Sequence, residues 1–139
     1  MSVLVRVQAE PIDLAGLLAF VQAPSLGGVA VFLGTVRDHH AGRAVVRLEY
    51  EAYPEMAEAE MRKIAEEARA RFHVARVAVA HRTGPLAIGE TSVAVAVGSE
   101  HRKEALEGCR YVIDTLKRTA PIWKREVYGD GAAWIEGEG

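Results

Sequence analysis

Residues 14–36 form an uncharged run of 23 residues, long enough by length alone to cross a bilayer. Its middle forbids that reading. Gln22-Ala23-Pro24-Ser25-Leu26-Gly27-Gly28 spells a turn, and a turn in lipid leaves backbone groups without hydrogen-bond partners. The run is therefore two buried elements joined by a bend, and two such elements need a core to enter. Half of the 139 residues are hydrophobic and 26% are charged, which supplies that core and excludes a disordered tail or a fibrous repeat. The length suits one domain, residues 1–139. Arg6 and Glu10 with no long apolar stretch do not read as a signal peptide, so a soluble, cytoplasmic chain with no membrane association is expected.

Hydrophobic spacing lays out the elements. Val3, Val5 and Val7 alternate as a strand. Asp13 caps a short helix with Leu14, Leu17, Leu18 and Val21 on its apolar face. Residues 28–36 are continuous and β-branched, which predicts a strand buried on both faces. A polar loop at 37–43 leads to a strand with Val46, Leu48, Tyr50 and Ala52 on one face. Pro54 opens a second helix carrying Ala57, Met61, Ile64, Ala65, Ala68 and Phe72. Strands at 76–83 and 91–97 flank a turn-rich connection at 84–89. Ser99 is placed to cap a third helix with the stripe Ala105, Cys109, Val112, Ile113 and Leu116, and Pro121 closes it. Gly129-Asp130-Gly131 then turns a small terminal hairpin. The order β-α-β-β-α-β-β-α-β-β predicts an α+β fold with a mostly antiparallel sheet and about three helices.

Charge and residue type narrow the chemistry. The formal charge is −2, so no global field favours nucleic acid. The single cysteine, Cys109, excludes a disulfide framework and lies on an apolar helix stripe, where a thiol behaves as a small hydrophobe. Histidines 39, 40, 73, 81 and 101 show no ligand spacing, so no metal is expected. Ser99-Glu100-His101-Arg102-Lys103 follows a buried strand and opens a helix, which suits either an anion site or a solvated first turn. Arg37 leaves a buried strand for a polar loop, as a binding residue or a surface cap. Lys117 and Lys124 flank a Pro121-Ile122-Trp123 bend; they converge on one pocket, where proton transfer is possible, or grip a phosphate, or are simply solvated.

Five motifs in fixed order carry a family resemblance. They are Gly34-Thr35-Val36-Arg37, Leu48-Glu49-Tyr50-Glu51-Ala52-Tyr53, His81-Arg82-Thr83-Gly84, Ser99-Glu100-His101-Arg102, and Asp114-Thr115-Leu116-Lys117 through Pro121-Ile122-Trp123-Lys124-Arg125-Glu126. Together they resemble the large, catalytic subunit of molybdopterin synthase, over nearly the whole chain. The resemblance implies a hammerhead-like α/β arrangement within the α+β class. It implies a sulfurtransferase that converts cyclic pyranopterin monophosphate to molybdopterin. Two sulfurs arrive as the C-terminal Gly-Gly thiocarboxylate of a small ubiquitin-like subunit, and no cofactor is needed. A homodimer core giving a heterotetramer is implied as well. Carried over by position, Lys117 and Lys124 are catalytic, and Thr35, Val36, Arg37, His101, Arg102, Arg125 and Glu126 join them in binding substrate. His39-His40 departs from the family, where asparagine is common.

The alternative is a non-catalytic α+β module that binds an anionic metabolite or a ubiquitin-like partner; docking alone requires neither Lys117 nor Lys124. One tension is geometric. His101 and Lys117 lie sixteen residues apart on one helix, roughly 24 Å along its axis, yet the resemblance gives both to one substrate. A two-fold dimer with a shared site is the expected resolution, with a kinked helix or a second anion pocket as the competing ones.

Overall fold

The computed structural model describes residues 1–135. Its elements are β1 (Val3–Gln8), α1 (Leu14–Val21), β2 (Gly28–Thr35), β3 (His39–His40), β4 (Arg43–Ala52), α2 (Pro54–Phe72), β5 (Arg76–Arg82), β6 (Gly84–Ala87), β7 (Thr91–Ser99), α3 (Arg102–Thr119), β8 (Ile122–Tyr128) and β9 (Gly131–Ile135). Three helices and strands that pair antiparallel in every case except β1 with β5 make this an α+β fold. No described helix is long and apolar enough to cross a membrane.

The first sheet has the order β1-β5-β7-β2. Its inner strands β5 and β7 are buried almost throughout, because α2 and α3 cover one face and α1 the other. On the first face Met61 and Ile64 of α2 and Val112 and Leu116 of α3 pack on Val77, Val79, Val93, Val95 and Val97. Each fully buried aliphatic side chain there contributes roughly 2 kcal/mol. On the other face Leu17 and Val21 rest on Ala78, Ala80, Ala94 and Ala96. Small side chains let α1 come close: a Cβ at Gly98 would stand 2.0 Å from the Val21 carbonyl oxygen.

Local signals in the chain explain the helix boundaries. The Asp13 carboxylate accepts the Gly16 N–H at 3.0 Å and starts α1. Pro54 occupies the first turn of α2, whose far end stops at His73 in the left-handed conformation, φ 59°. Ala120 and Pro121 end α3 and turn the chain into β8. In the second sheet β4 has β8 on one side and the short strands β3 and β6 on the other, and β9 pairs outside β8.

Four expectations are corrected. The strand from Gly28 is not buried on both faces: β2 is an edge, and Val29, Val31, Phe32 and Leu33 are each about two-fifths exposed. Val46 does not join the inward face of β4, because a register shift between Val45 and Arg47 buries Val45 in its place and leaves Val46 51% exposed. Ser99 does not cap α3; it is the buried last residue of β7, and His101 takes the cap position with no side-chain hydrogen bond. The polar loop and the turn-rich connection each contain a short strand, β3 and β6. Ala41 and Gly42, both at positive φ, make the two-residue turn that lets β3 fold back on β4.

Candidate active site

Lys117 leaves the last turn of α3 and Lys124 sits on β8, just past the Pro121 bend. The bend brings both onto two adjoining cavities. One, about 450 Å³, is lined by Tyr50, His81, Arg118, Trp123 and Ile135 among others; the second, about 360 Å³, by Phe32, Thr35, Arg37, His39, Asp114 and Glu126 among others. Tyr50, Lys117 and Lys124 line both and form the wall between them. Register explains part of this. Tyr50 on β4 lies opposite Lys124 on β8, so the two side chains share a face of the sheet. Strand alternation sends Lys124 and Glu126 to that face and Arg125 to the other, where its guanidinium holds the Glu49 carboxylate. Arg125 and then Arg47 hold the Glu49 carboxyl below the usual carboxylate range.

Glu126 is 3% exposed, and two groups meet its Oε1. Tyr128 donates its hydroxyl to Oε1 at 2.6 Å, and His40 Nδ1 lies 2.7 Å from the same oxygen. Burial pushes the carboxyl up, but the hydrogen bonds from Tyr128 and His40 and the charges of His40 and Lys124 outweigh it, so Glu126 sits below its ordinary value. The same bond raises Tyr128, over whose ring Arg43 stacks at 3.7 Å. His40 thus reaches the site from 86 residues away along the chain.

His81, at the end of β5, is 2% exposed. Its Nδ1 donates to the Arg82 carbonyl at 2.8 Å, an oxygen that can only accept. Burial first, and the charge of Lys117 with it, pull its pKa from 6.5 to about 4 against the raising effect of that bond. The unfolded chain binds this proton below about pH 6.5 and the folded chain does not until about pH 4. Stability attributable to His81 is therefore present above pH 6.5 and is lost as the pH falls toward 4, by roughly 3 kcal/mol in total. Urea titrations at pH 7 and pH 4.5 should show that loss in the parent chain and a clearly smaller one in His81→Gln.

The residues singled out from sequence divide into groups. Thr35, Arg37, Lys117, Lys124 and Glu126 meet at the smaller cavity. Val36 follows Thr35 but is 3% exposed and packs in the core of the second sheet. Arg125 faces away, as described. His101 and Arg102 are exposed at the far end of α3, with His101 paired to Glu100 at 3.0 Å, and line neither cavity. They stand instead beside the start of β2, where a Cβ on Gly28 would lie 2.9 Å from the Arg102 nitrogen. Sequence reasoning assigned no role to Tyr50, His40 or His81; the signals for Tyr50 were its inward phase on β4 and its place in one of the five motifs, and His81 stood in another. Among the described residues no cluster of His, Cys, Asp and Glu is arranged to hold a metal ion.

Residues 7–119 match the family described as MoaE protein. The chain belongs to the MoaE family. It is 44% identical over 129 residues to a molybdopterin synthase catalytic subunit of Pyrococcus abyssi, covering 93% of this chain and 87% of that one. Plant relatives that bear the same description are longer, and the chain spans 65% of their length. Among solved structures, molybdopterin synthase from Staphylococcus aureus superposes with a TM-score of 0.89 at 37% identity, over 93% of this chain and 94% of that one. A complex of subunits 1 and 2 of molybdopterin-converting factor from Helicobacter pylori superposes at 0.77 and 25% identity, over 94% and 89%.

Proposed function

We propose that this MoaE-family chain is the catalytic subunit of a molybdopterin synthase working in the cytoplasm. In this reading it converts cyclic pyranopterin monophosphate to molybdopterin by sulfur transfer. The carrying observation is the wall of Lys117, Lys124 and Tyr50 between two cavities. A phosphorylated pterin suits the smaller cavity, where Arg37 and the two lysines offer cationic contacts and Glu126 holds Lys124 in a charged neighbourhood. The larger cavity then receives the Gly-Gly tail of a small ubiquitin-like subunit. A tail without side chains passes where a bulkier one would not. The sulfur comes with the partner, so the chain's own work is to hold the pterin, shield the thiocarboxylate from water and move protons. A merely binding module explains less, because two lysines on a shared wall serve transfer between two bound groups.

The reading includes a two-fold dimer. β2 is an edge with an exposed apolar stripe, and His101 and Arg102 lie beside its start while Arg37 follows its end. Eight strand residues span about 26 Å, matching the separation of His101 from Lys117 along α3. Antiparallel pairing of two β2 edges about a two-fold axis sets the start of one beside the end of the other. His101 and Arg102 of one protomer then complete the site of its mate.

The direct test is reconstitution with thiocarboxylated small subunit and cyclic pyranopterin monophosphate, with molybdopterin oxidised to its fluorescent derivative and quantified. Absence of product under conditions where the two subunits bind would overturn the proposal. A small subunit lacking its last two glycines should bind and yield no product; product from that truncation rules out thiocarboxylate delivery. Cys109→Ser should keep most activity. Burial pushes the Cys109 thiol up to about 11, so little thiolate exists at neutral pH, and the added hydroxyl costs about 1 kcal/mol of stability by thermal melt.

A further inference from the structure

His81 has no part in the reaction as proposed, yet it lines the larger cavity together with Lys117. Its ring is held on two sides. Nδ1 gives its hydrogen to the Arg82 carbonyl at 2.8 Å, and Tyr50 meets the ring edge-on, 4.9 Å between centroids and 74° between planes. Rotation is blocked by the first contact and tilt by the second. With the hydrogen committed to Nδ1, a neutral imidazole has one acceptor left, the Nε2 lone pair.

The other ionisable groups that line this cavity come from three elements: Lys117 and Arg118 from α3, Lys124 from β8 and Tyr50 from β4. Three are cations, and Tyr50 is pushed above its ordinary value by burial, so it stays neutral. A protonated His81 would be a fourth cation lining one cavity, and the buried one of the four. Burial and the Lys117 charge keep it neutral at physiological pH, with a pKa of about 4. The surroundings therefore leave His81 as an acceptor amid donors.

We propose that His81 is a positioning residue for Lys117, its Nε2 accepting a hydrogen bond from the Lys117 amine and holding that amine at the wall between the two cavities. A lysine has four rotatable bonds, and an acceptor at its tip removes most of that freedom before substrate arrives. The acceptor also favours the ammonium form, so its loss lowers the Lys117 pKa. This inference rests on Lys117 acting on substrate, and its first test does not depend on that activity.

The first test is ¹⁵N NMR of the full chain labelled at histidine, from pH 5.5 to 8. His81 should show the neutral Nδ1–H tautomer throughout, and its Nε2 resonance should move toward a free acceptor value in Lys117→Ala. A titrating ring, the opposite tautomer, or an Nε2 resonance indifferent to Lys117→Ala overturns the proposal. The second test is kinetic, in the reconstituted complex. His81→Phe keeps an aromatic ring against Tyr50 and removes the acceptor; His81→Gln restores an acceptor. His81→Phe should lower kcat about tenfold or more with KM for the pterin within about twofold, and should move the lysine limb of the pH–rate profile to lower pH. His81→Gln should recover most of the rate. Equal losses in both with an unmoved profile mean a packing role and overturn the proposal; if His81→Phe does not fold, the NMR result on the parent chain decides. If the NMR result holds while Lys117→Ala stays active, the catalytic reading has failed and the hydrogen bond stands.

Discussion

Lys117→Ala should abolish molybdopterin formation in the reconstituted assay, a loss of at least about 100-fold, while the melting temperature stays within a few degrees of the parent. The size follows from what a positioned proton-transfer group contributes, about 100-fold to 10,000-fold. The mildness on folding follows from the helix. α3 is anchored by Val112, Ile113 and Leu116, which stay in place, and Lys117 itself is only partly buried. Loss of a cation near a helix C-terminus costs about 0.3–1 kcal/mol. Lys124→Ala, on the same wall from a different element, should be comparably severe. Near-normal turnover in both variants removes the basis for assigning catalysis to this wall.

Mixing inactive Arg102→Ala with inactive Lys117→Ala, under conditions where protomers exchange, should restore activity to about a quarter to a half of the parent level. In a mixed dimer one site collects both substitutions and the other collects neither. The expectation comes from distance. Arg102 and Lys117 occupy opposite ends of one helix, and Arg102 lines neither of the two cavities that Lys117 lines. The exposed edge of β2 offers the route by which two chains bring those ends together. Exchange is verified by mass spectrometry of isotope-labelled chains; no recovery after proven exchange means that each site is built within one chain.

Much of the architecture was legible because it is written in short-range patterns. The apolar stripe of α3, the proline at the start of α2 and the Asp13 cap each depend on residues within a few positions of one another, and each appears as expected. The strand from Gly28 misled for the opposite reason. A run of valine, phenylalanine and leucine looks the same whether a neighbouring strand, a helix or a second chain covers it. Only sheet order made β2 an edge. The phase of β4 failed in the same way, since a register shift against β8 moved Val45 inward in place of Val46.

The candidate site divides along the same line. Sequence by itself determined which residue types are present at the Pro121 bend and that Lys117 and Lys124 flank it, because a helix end followed by a strand start brings near neighbours together. It also determined the separation of His101 from Lys117, which is helix geometry and nothing more. Tertiary structure alone decided that Tyr50 stands between the two cavities, that His40 reaches Glu126 and that His81 is a neutral imidazole beside Lys117. Those facts join strands far apart in the chain. Burial and hydrogen-bond partners set the charge state of a histidine, and both come from neighbours that no local pattern names.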